Sequence, residues 1–410
     1  MRVLFTTNAM AGHFHPLVPL ARAAQAAGHA VAVACPGSFC GTVKASGFQA
    51  LPAGRDSRGD PEFGQIRAEI DRMKPGPAQA RHFFAKVFCG LHTRRMIPDL
   101  YALSREWMPD VIVWENCAFA AAIVAEALGM PYARVEAGML FDLRVFGAAV
   151  SEQLDRNRQS VGLPPDPDLE VLHRYLVLSW TPPRFQDPAV PLPPTLHALR
   201  AVPFDRSGHE TLPDWVMELP ERPTVYATLG TEMNHLPSIF PGMLQTFIAG
   251  LREEPVNLIV TIGRDMDPAA LGPQPPHVHV ERYIPQSLLL SHCDLVLTHG
   301  GHNTVLAAIS AGLPMVVTPI TADQPENAER CVALELGRAI ALPNLTPGTV
   351  REAVRAVLQD AQYRTNVQRL RAETEALPSA EHGVRLLERL AATKTPQIAR
   401  HAMTAALPIL

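Results

Sequence analysis

The chain has 410 residues, of which 47% are hydrophobic and 19% charged, and its formal net charge at pH 7 is −4. This length predicts two or three domains, each large enough to bury a core. The near-neutral balance argues against a nucleic-acid or anionic-membrane partner, and no window holds the roughly twenty uncharged apolar residues that a membrane span requires. The six scattered cysteines indicate reduced thiols in a cytoplasmic protein.

The first half of the chain has the pattern of an α/β sheet. Unbroken apolar runs alternate with helical segments, which is typical of a parallel sheet covered by helices on both faces. The predicted strands span residues 2–6, 30–34, 110–114 and 132–135, and the predicted helices span 16–27 and 118–128. Between them, residues 56–96 are less regular and mix four phenylalanines with many charges, so that each ring belongs either to the core or to an apolar substrate cleft.

Proline is frequent between residues 182 and 223. Proline-stiffened segments between two periodic α/β halves indicate an interdomain linker. We therefore predict an N-terminal domain at 1–205, a linker at 206–222, a C-terminal domain at 223–380, and a helix and tail at 381–410 that pack back toward the N-terminal domain.

The second half repeats the alternation of strands and helices. The predicted strands span 224–229, 258–261, 277–281, 295–297 and 314–318, and the predicted helices span 350–358, 364–375 and 382–392. No repeat of solenoid length is visible, so the two halves share an architecture rather than a sequence.

Residues 295–325 carry the most informative motif. An apolar strand leads through the His-Gly-Gly turn at 299–301 into a helix that begins near Asn303, and the next buried strand ends in a loop with Asp323 and Gln324. Backbone N–H groups at a helix N-terminus beside glycines form an anion site that suits a diphosphate. The acid–amide pair lies where open parallel sheets hold their ligands. A diphosphate site beside a hydroxyl-binding carboxylate predicts a nucleotide sugar.

A second motif, Gly12-His13-Phe14-His15-Pro16, follows the first strand and is predicted to lie in a ligand-facing loop. A neutral imidazole can accept the proton of an attacking hydroxyl group, and its second nitrogen then needs an orienting partner. A His-x-His pair is also compatible with zinc, but no third ligand with recognisable spacing lies nearby.

Together the two motifs resemble those of inverting, nucleotide-sugar-dependent glycosyltransferases with the GT-B fold, in particular the actinobacterial antibiotic and polyketide group that includes macrolide- and enediyne-type enzymes. The resemblance implies an α/β architecture of two doubly wound Rossmann-like domains that face a deep cleft. It implies that the N-terminal domain binds the acceptor and the C-terminal domain the donor. It also implies transfer of a deoxyhexose from a dTDP- or UDP-sugar to a hydroxyl group of an apolar natural product.

The resemblance places the catalytic base at His13, which matches the family's G-H-x-x-P pattern. In the family an acid commonly follows the strand at 110–114 and contacts this histidine. The matching residue is Glu115, where related sequences often have Asp. The adjacent Asn116 is the alternative partner, and a solvated strand-end carboxylate is the structural alternative for Glu115.

The resemblance also implies the donor contacts. Residues 282–286 are similar to the aromatic-x-Pro-Gln element that holds the nucleotide base, so Tyr283 would stack on the pyrimidine and the backbone of Ile284 would bind its edge. Thr231 and His299 would meet the diphosphate. The expected donor-binding residues are Gly230, Thr231, Tyr283, Ile284, Gln286, His299, Gly301, Asn303, Thr304, Asp323 and Gln324.

The acceptor side is expected to include His15, Phe63, Phe83, Phe84 and Met139. The literal D-x-D at Asp265 and Asp267 is interpreted as a turn, because Asp267 precedes a proline. A helix N-terminus with His299 can hold a diphosphate without a cation, so we expect no metal and no cofactor apart from the nucleotide-sugar co-substrate.

Three alternatives stay open. They are a nucleotide-sugar 2-epimerase on the same fold, a non-catalytic GT-B auxiliary or binding protein, and a C-glycosyltransferase that acts on an aromatic polyketide. The N-terminal motif speaks against the first, and the presence of His13, Asp323 and Gln324 speaks against the second. No single residue distinguishes O- from C-glycosylation, a thymidine from a uridine donor, or a monomer from a homodimer.

Overall fold

The structure is a computed structural model, and it describes residues 1–57, 59–74, 76–140, 143, 148–205 and 210–399. The chain divides into two compact units. The N-terminal unit contains Met1–Trp180, Pro188–Leu199 and the described residues from 378 onward, and the C-terminal unit contains Thr181–Asp187 and Arg200–Leu377. Residues 206–209 of the predicted linker and 400–410 of the predicted tail lie outside the described residues.

The N-terminal unit is built on a seven-stranded parallel sheet in the order β3-β2-β1-β4-β5-β6-β7. The strands are β1 (Arg2–Thr6), β2 (Ala30–Cys35), β3 (Gln49–Pro52), β4 (Val111–Glu115), β5 (Tyr132–Glu136), β6 (Leu176–Ser179) and β7 (Leu196–Ala198). Strands β4 and β5 are buried along their whole length, including the charged Arg134 and Glu136 of β5. The order of succession reverses between β1 and β4, so the carboxyl ends of these strands form the crevice where such sheets bind ligands.

Helices surround this sheet before the chain enters the second unit. In the part of the chain that the structure describes they are α1 (Ala11–Phe14), α2 (Val18–Ala26), α3 (Cys40–Ala45), α4 (Pro61–Asp71), α5 (Pro77–Phe83), α6 (Thr93–Trp107), α7 (Ala120–Ala127) and α8 (Ala148–Gln159), with a π-helix (Phe84–His92) between α5 and α6. Short 3₁₀ turns lie at His15–Leu17, Gly37–Phe39, Glu170–Leu172 and Pro183–Phe185, the last in the C-terminal unit.

Two sequence-based expectations for this unit are wrong. The N-terminal motif is helical rather than a loop, because α1, the turn at His15–Leu17 and α2 follow one another without a break. Pro16 is accommodated at the start of the 3₁₀ turn, where a backbone N–H is not required. The segment predicted to be less regular is mostly helical from Pro61 to Trp107.

The C-terminal unit contains a six-stranded parallel sheet in the order β10-β9-β8-β11-β12-β13. The strands are β8 (Thr224–Thr228), β9 (Asn257–Thr261), β10 (Val278–Glu281), β11 (Leu295–Thr298), β12 (Met315–Val317) and β13 (Gly337–Ala339). This order is the 3-2-1-4-5-6 succession of a Rossmann fold. The switch point of this sheet lies between β8 and β11, and the His-Gly-Gly turn at 299–301 follows β11 directly.

The helices of this unit are α9 (Gly242–Leu251), α10 (Gln286–Leu289), α11 (His302–Ala311), α12 (Gln324–Ala333), α13 (Pro347–Gln359) and α14 (Ala361–Glu375), and 3₁₀ turns lie at Asp214–Glu218, Met233–His235, Pro268–Leu271, Leu290–His292 and Leu342–Asn344. A buried cluster that includes Phe247, Leu258 and Val354 forms the core between the sheet, α9 and α13. No helix among the described residues is long and apolar enough to cross a membrane.

The last helix, α15 (Ala380–Thr393), belongs to the N-terminal unit and packs on α2. The packing is close at Gly383, where a Cβ atom would lie 2.9 Å from Leu20 and 3.0 Å from Leu199. Beyond the helix, the N–H of Gln397 donates to the carbonyl of Tyr175 over 2.7 Å.

Candidate functional site

A histidine and a carboxylate meet at the switch point of the N-terminal sheet. His13 lies on α1 directly after β1, and Glu115 is the last residue of β4, which pairs with β1. The two side chains are joined by a 2.8 Å hydrogen bond between His13 Nδ1 and Glu115 Oε2. The histidine side chain is 21% exposed and the carboxylate is fully buried. Glu115 is therefore not the solvated strand-end carboxylate of the structural alternative.

Glu115 is held by further donors on both oxygens. The side-chain amide of Asn8 donates to Oε1 over 2.7 Å and its backbone N–H over 3.3 Å, while the N–H of Cys117 donates to Oε2 over 2.7 Å. Burial by itself would raise the pKa of Glu115, but His13 and these hydrogen bonds outweigh it and hold the pKa below its ordinary value. The carboxylate is therefore ionised and oriented toward the imidazole.

Asn116, the alternative partner of the histidine, points elsewhere in the unit. It is buried and hydrogen-bonded to Glu136 at the end of β5. Glu136 pairs with Arg134, with a 2.7 Å distance between Nε and Oε1, and both side chains are buried. Burial raises the pKa of Glu136 against the opposing effect of Arg134. This buried ion pair lies on β5, the strand that pairs with β4.

His13, Glu115 and Cys117 also present three possible metal ligands whose donor atoms lie within 4.8 Å of one another. Zinc binds the thiolate form of cysteine. Burial, with the charge of Glu115, raises the pKa of the Cys117 thiol well above its ordinary value. The chemistry of this group therefore favours an imidazole–carboxylate pair over a metal centre.

Aromatic rings gather beside His13. The Phe88 ring stacks on the imidazole with a centroid distance of 5.6 Å and an interplanar angle of 23°. Phe83 and Phe84, which the sequence assigns to the acceptor side, contact Phe88 at 5.9 and 5.6 Å. Another neighbour of Phe88 is His92, whose ring packs edge-on at 5.4 Å. The structure thus brings Phe83 and Phe84 to His13 through Phe88.

The other three predicted acceptor residues occupy separate places in the same unit. His15 lies in the 3₁₀ turn after α1, where its ring is 6.2 Å from that of Phe14. Phe63 is in the first turn of α4, and its N–H donates to the capping carboxylate of Asp60. Met139 is buried in the segment after β5.

Two glycine turns of the C-terminal unit enclose His299. Gly230 follows β8 with a φ of +68°, and Gly301 precedes α11. A Cβ atom at Gly230 would lie 2.9 Å from the imidazole, and one at Gly301 would lie 2.5 Å from it. Only glycine allows both turns to approach the ring this closely. Thr231, after the first turn, is exposed.

His299 is a neutral side chain at neutral pH. Burial lowers its pKa to about 4, against the opposing effects of Asp323 and of a hydrogen bond to the backbone of Thr228. Its Nδ1 atom also lies 3.3 Å from the hydroxyl group of Thr298. The ring is thereby fixed between the ends of β8 and β11.

Helix α11 begins directly behind this histidine. The sequence predicts its start near Asn303, and the structure places it one residue earlier, at His302. Asn303 is exposed and Thr304 buried in the first turn. The N-terminal backbone N–H groups and the dipole of α11 face the glycine turn. This is the arrangement that binds phosphate groups in other proteins.

Buried polar groups fasten that turn to the acid–amide loop. The Asn327 side-chain amide donates to the carbonyl of Gly300 over 2.9 Å and to the carboxylate of Asp323 over 3.0 Å, and its oxygen lies 3.0 Å from His302 Nδ1. On the other side of the imidazole, His302 Nε2 lies 2.8 Å from the hydroxyl of Thr181. Asn327 thus fixes Asp323 relative to the turn at 299–301.

Asp323 and Gln324 occupy different environments at the start of α12. Asp323 is exposed, and the residue before it, Ala322, has a left-handed φ of +58°. Such a conformation costs free energy in a residue with a Cβ and is often found at ligand-binding sites. Gln324 is buried, and its Oε1 accepts hydrogen bonds from the N–H groups of Ile320 and Thr321 over 2.9 and 3.0 Å.

The predicted base-binding element precedes α10. The Tyr283 hydroxyl donates to the carbonyl of Asp205, and the Arg264 guanidinium lies 3.6 Å above the centre of its ring. Burial, with the charge of Asp205, raises the pKa of Tyr283 to about 12. Ile284 is buried, and Gln286 donates to the Thr304 hydroxyl over 3.4 Å. One face of the tyrosine is therefore covered by a cation.

The D-x-D sequence forms a turn. Asp267 Oδ1 accepts a 3.1 Å hydrogen bond from the N–H of Ala269 and so caps the 3₁₀ turn at Pro268–Leu271. Asp265 is exposed.

Several residues of the site are absent from the sequence-based set. They are Asn8, Phe88, Arg264, His302 and Asn327. For Asn327 a signal was present, because it follows Asp323 by four residues on a helix and so shares its face. The side-chain contact of Asn8 with Glu115, and that of Arg264 with Tyr283, depend on tertiary structure.

Two family models match the chain. The model of the erythromycin biosynthesis protein CIII-like N-terminal domain matches residues 22–230, and that of the C-terminal domain matches residues 248–390. The chain is 32% identical to 10-deoxymethynolide desosaminyltransferase of Streptomyces venezuelae, over 98% of this chain and 100% of that protein.

Solved structures with the same fold cover nearly the whole chain. The glycosyltransferase SnogD from Streptomyces nogalater aligns with a TM-score of 0.79 and 26% identity, over 95% of this chain and 99% of that one. The glycosyltransferase VinC in complex with dTDP aligns with a TM-score of 0.78 and 25% identity, over 96% of this chain and 100% of that one. The predicted fold class is thereby confirmed as GT-B. The chain belongs to the erythromycin biosynthesis protein CIII-like family, and it is an antibiotic-type glycosyltransferase that transfers a sugar to a natural-product acceptor.

Proposed function

We propose that the chain transfers a deoxyhexose from a dTDP-sugar to a hydroxyl group of an apolar natural product, with inversion at the anomeric carbon. The observation that carries this proposal is the pairing of His13 with a buried, ionised Glu115. A histidine oriented by a carboxylate is the arrangement that general-base catalysis requires.

The proton transfer follows from the hydrogen bonds of this pair. Because Glu115 is ionised, Nδ1–H of His13 donates to it and Nε2 carries the lone pair. Nε2 takes the proton of the acceptor hydroxyl while the oxygen attacks the anomeric carbon on the face opposite the leaving nucleotide. Glu115 then stabilises the imidazolium that forms.

The C-terminal unit is proposed to bind the donor. The diphosphate lies against the N-terminal turn of α11 and beside His299, where helix N–H groups stabilise the departing charge. Asp323 binds sugar hydroxyl groups, and the pyrimidine stacks on Tyr283. VinC, which shares the fold, was solved in complex with dTDP, and this supports a thymidine rather than a uridine donor.

The N-terminal unit is proposed to bind the acceptor. Phe83, Phe84 and Phe88 present apolar surface beside the catalytic imidazole. Apolar walls with few polar groups are typical of sites for natural products of this kind. His15, Phe63 and Met139 are proposed to extend the same site.

C-glycosylation of an aromatic acceptor is the second candidate. The ring that stacks on His13 favours a flat, aromatic substrate, because rings pack face to face or edge to face. A carbon-linked product would resist acid hydrolysis, whereas an O-glycoside would release its sugar.

Calorimetric titration with dTDP and UDP tests the donor site. The wild type is expected to bind dTDP more tightly than UDP, and His299→Ala is expected to lose binding of both. Failure of the wild type to bind either nucleotide would overturn the proposal.

Turnover of variants tests the base. We expect His13→Ala to lower turnover by about 10² to 10⁴ with unchanged dTDP affinity, the usual range for a lost general base. Glu115→Gln keeps the shape of the side chain and removes its charge, and it should lower turnover by a comparable factor. A matched control is His29→Ala, since His29 forms a histidine–carboxylate pair with Glu388 at the amino end of β2. A fully active His13→Ala protein would refute the assignment.

A further inference from the structure

Two cysteines of the N-terminal unit lie in sulfur–sulfur contact away from the catalytic pair. Cys35 is the last residue of β2, Cys40 is the first residue of α3, and their Sγ atoms are 3.7 Å apart. A disulfide bond is about 2.05 Å long, so the two sulfur atoms must approach each other by roughly 1.7 Å. The sequence alone describes these residues only as scattered thiols.

The two thiols differ in mobility and access. Cys35 is fully buried in a strand that pairs with β3, and its carbonyl accepts a 2.8 Å hydrogen bond from the N–H of Ala53. Burial raises the pKa of the Cys35 thiol well above its ordinary value. Cys40 is partly exposed, and its thiol lies 3.8 Å from the carbonyl of Pro36. An oxidant in solution therefore meets Cys40 first.

We propose that Cys35 and Cys40 form a reversible disulfide modification site whose closure lowers transferase turnover. A peroxide is the oxidant class that the pair would take. The Cys40 thiolate attacks one peroxide oxygen, which gives a Cys40 sulfenic acid and releases hydroxide. The Cys35 sulfur then attacks the Cys40 sulfur, the S–S bond forms, and the departing hydroxide takes the Cys35 proton and leaves as water. Two thiols thereby lose two electrons, and one hydrogen peroxide becomes two waters.

The consequence for the active site passes through the loop between the cysteines. Phe39 lies in that loop, in the 3₁₀ turn at Gly37–Phe39, and packs edge-on against Phe14 with a centroid distance of 5.7 Å. Phe14 is fully buried and follows His13 on α1. Because buried side chains are closely packed, drawing Cys40 toward Cys35 displaces Phe39 and shifts Phe14. The shift moves His13 relative to Glu115.

Hydrogen peroxide treatment of the full-length protein tests the site. A peptide map is expected to show a Cys35–Cys40 cross-link that a dithiol reductant removes. Turnover should fall with the extent of cross-linking and recover on reduction. Cys40→Ser should retain the untreated activity and show neither cross-link nor reversible loss. Absence of the cross-link, or a cross-linked protein with unchanged turnover, would overturn the proposal.

The turnover measurement rests on the proposed function, whereas the cross-link is read by mass alone. Titration with dTDP separates the two proposals. The donor site is built in the C-terminal unit, so the oxidised protein should bind dTDP as the reduced protein does. Weaker dTDP binding after oxidation would indicate general damage and would contradict the assignment of the activity loss to His13.

Discussion

His299 must change its protonation state if it is to donate to a diphosphate. Burial lowers its pKa to about 4, so the free protein holds a neutral imidazole at pH 7. A neutral imidazole has a single N–H, and a hydrogen bond to the backbone of Thr228 engages the ring. The phosphate oxygens would then face a nitrogen without a proton. A nearby diphosphate favours the charged imidazolium and raises the pKa of the ring.

We therefore predict that dTDP binding takes up a proton at His299. The uptake should approach one proton per nucleotide as the pH falls from 7 toward 5, and the affinity should rise over the same range. Calorimetry in two buffers of different ionisation enthalpy measures the uptake directly. His299→Gln replaces the imidazole with an amide donor that does not titrate in this range. The proton uptake of this variant on binding dTDP should therefore be smaller than that of the wild type. Equal uptake by the two proteins would contradict the prediction.

The π-helix at Phe84–His92 is the element that brings Phe88 to the imidazole of His13. Its widened turns are held by side chains from neighbouring helices. The Thr93 hydroxyl donates to the carbonyl of Phe88, and the buried amide of Asn157 donates to that of Cys89, both over 2.7 Å. Helix α8 packs so closely here that a Cβ at Gly90 would lie 2.9 Å from Gln153 Oε1. π-Helical turns are found mostly at functional sites.

We predict that Asn157→Leu disturbs the acceptor side selectively. Loss of the amide removes a buried hydrogen bond, which costs about 1 to 3 kcal/mol of stability, and lets the segment relax toward an α-helix. Phe88 then rotates away from His13. The acceptor KM should rise by about tenfold, equivalent to about 1.4 kcal/mol, while dTDP affinity stays unchanged. Steady-state kinetics with both substrates varied provides the measurement.

Ser151→Ala is the matched control for that variant. Ser151 lies on the same helix, is partly exposed, and donates to the carbonyl of Ala148 over 3.1 Å. Its replacement should leave both the acceptor KM and the dTDP affinity unchanged. If Asn157→Leu behaves like this control, the π-helix does not position the acceptor site.

Elements with a strong local pattern could be predicted from the sequence. Strands such as β1, β4 and β8 agree with the prediction to within one residue or so, because buried parallel strands are unbroken apolar runs. The pairing of His13 with Glu115 was expected from the resemblance to the family, and the structure places the two residues at the carboxyl ends of neighbouring strands. The extra methylene of glutamate, relative to aspartate, still allows a 2.8 Å hydrogen bond.

Elements that depend on tertiary contacts were not predictable in this way. Pro16 suggested that the first helix begins there, whereas the helix begins at Ala11 and passes through a 3₁₀ turn. Helix α4 did carry a start signal, because Asp60 precedes a proline and caps the helix. The π-helix carried no such start signal, because the Asn157 amide that donates to its Cys89 carbonyl lies 68 residues away in sequence. The stacking of Arg264 on Tyr283 likewise joins distant segments.

At the scale of the whole molecule, each unit contains a histidine that resists protonation, His92 being partly buried and His299 buried. Burial lowers the pKa of His92 in the N-terminal unit and of His299 in the C-terminal unit, each to about 4. Between pH 6.5 and 4 the unfolded chain binds protons at these positions and the folded chain does not. Stability therefore rises with pH across this window and is lost as the pH falls. Both units should weaken together in mild acid.

His92→Phe tests this linkage. Phenylalanine can keep the edge-on contact with Phe88 but cannot take up a proton, and it gives up the 2.5 Å hydrogen bond between Ser57 and His92 Nε2. At pH 7 the variant should be no more stable than the wild type. Between pH 7 and pH 5 the free energy of unfolding of the wild type should fall by about 2 kcal/mol more than that of the variant. The histidine of the unfolded chain has a pKa of about 6.5, and each pH unit below this value costs the folded state about 1.4 kcal/mol, so pH 5 lies about 1.5 units into this range. Denaturant unfolding of both proteins at the two pH values measures the difference. The same loss in both proteins would show that His92 is protonated in the folded state, and would place the acid sensitivity of the N-terminal unit elsewhere.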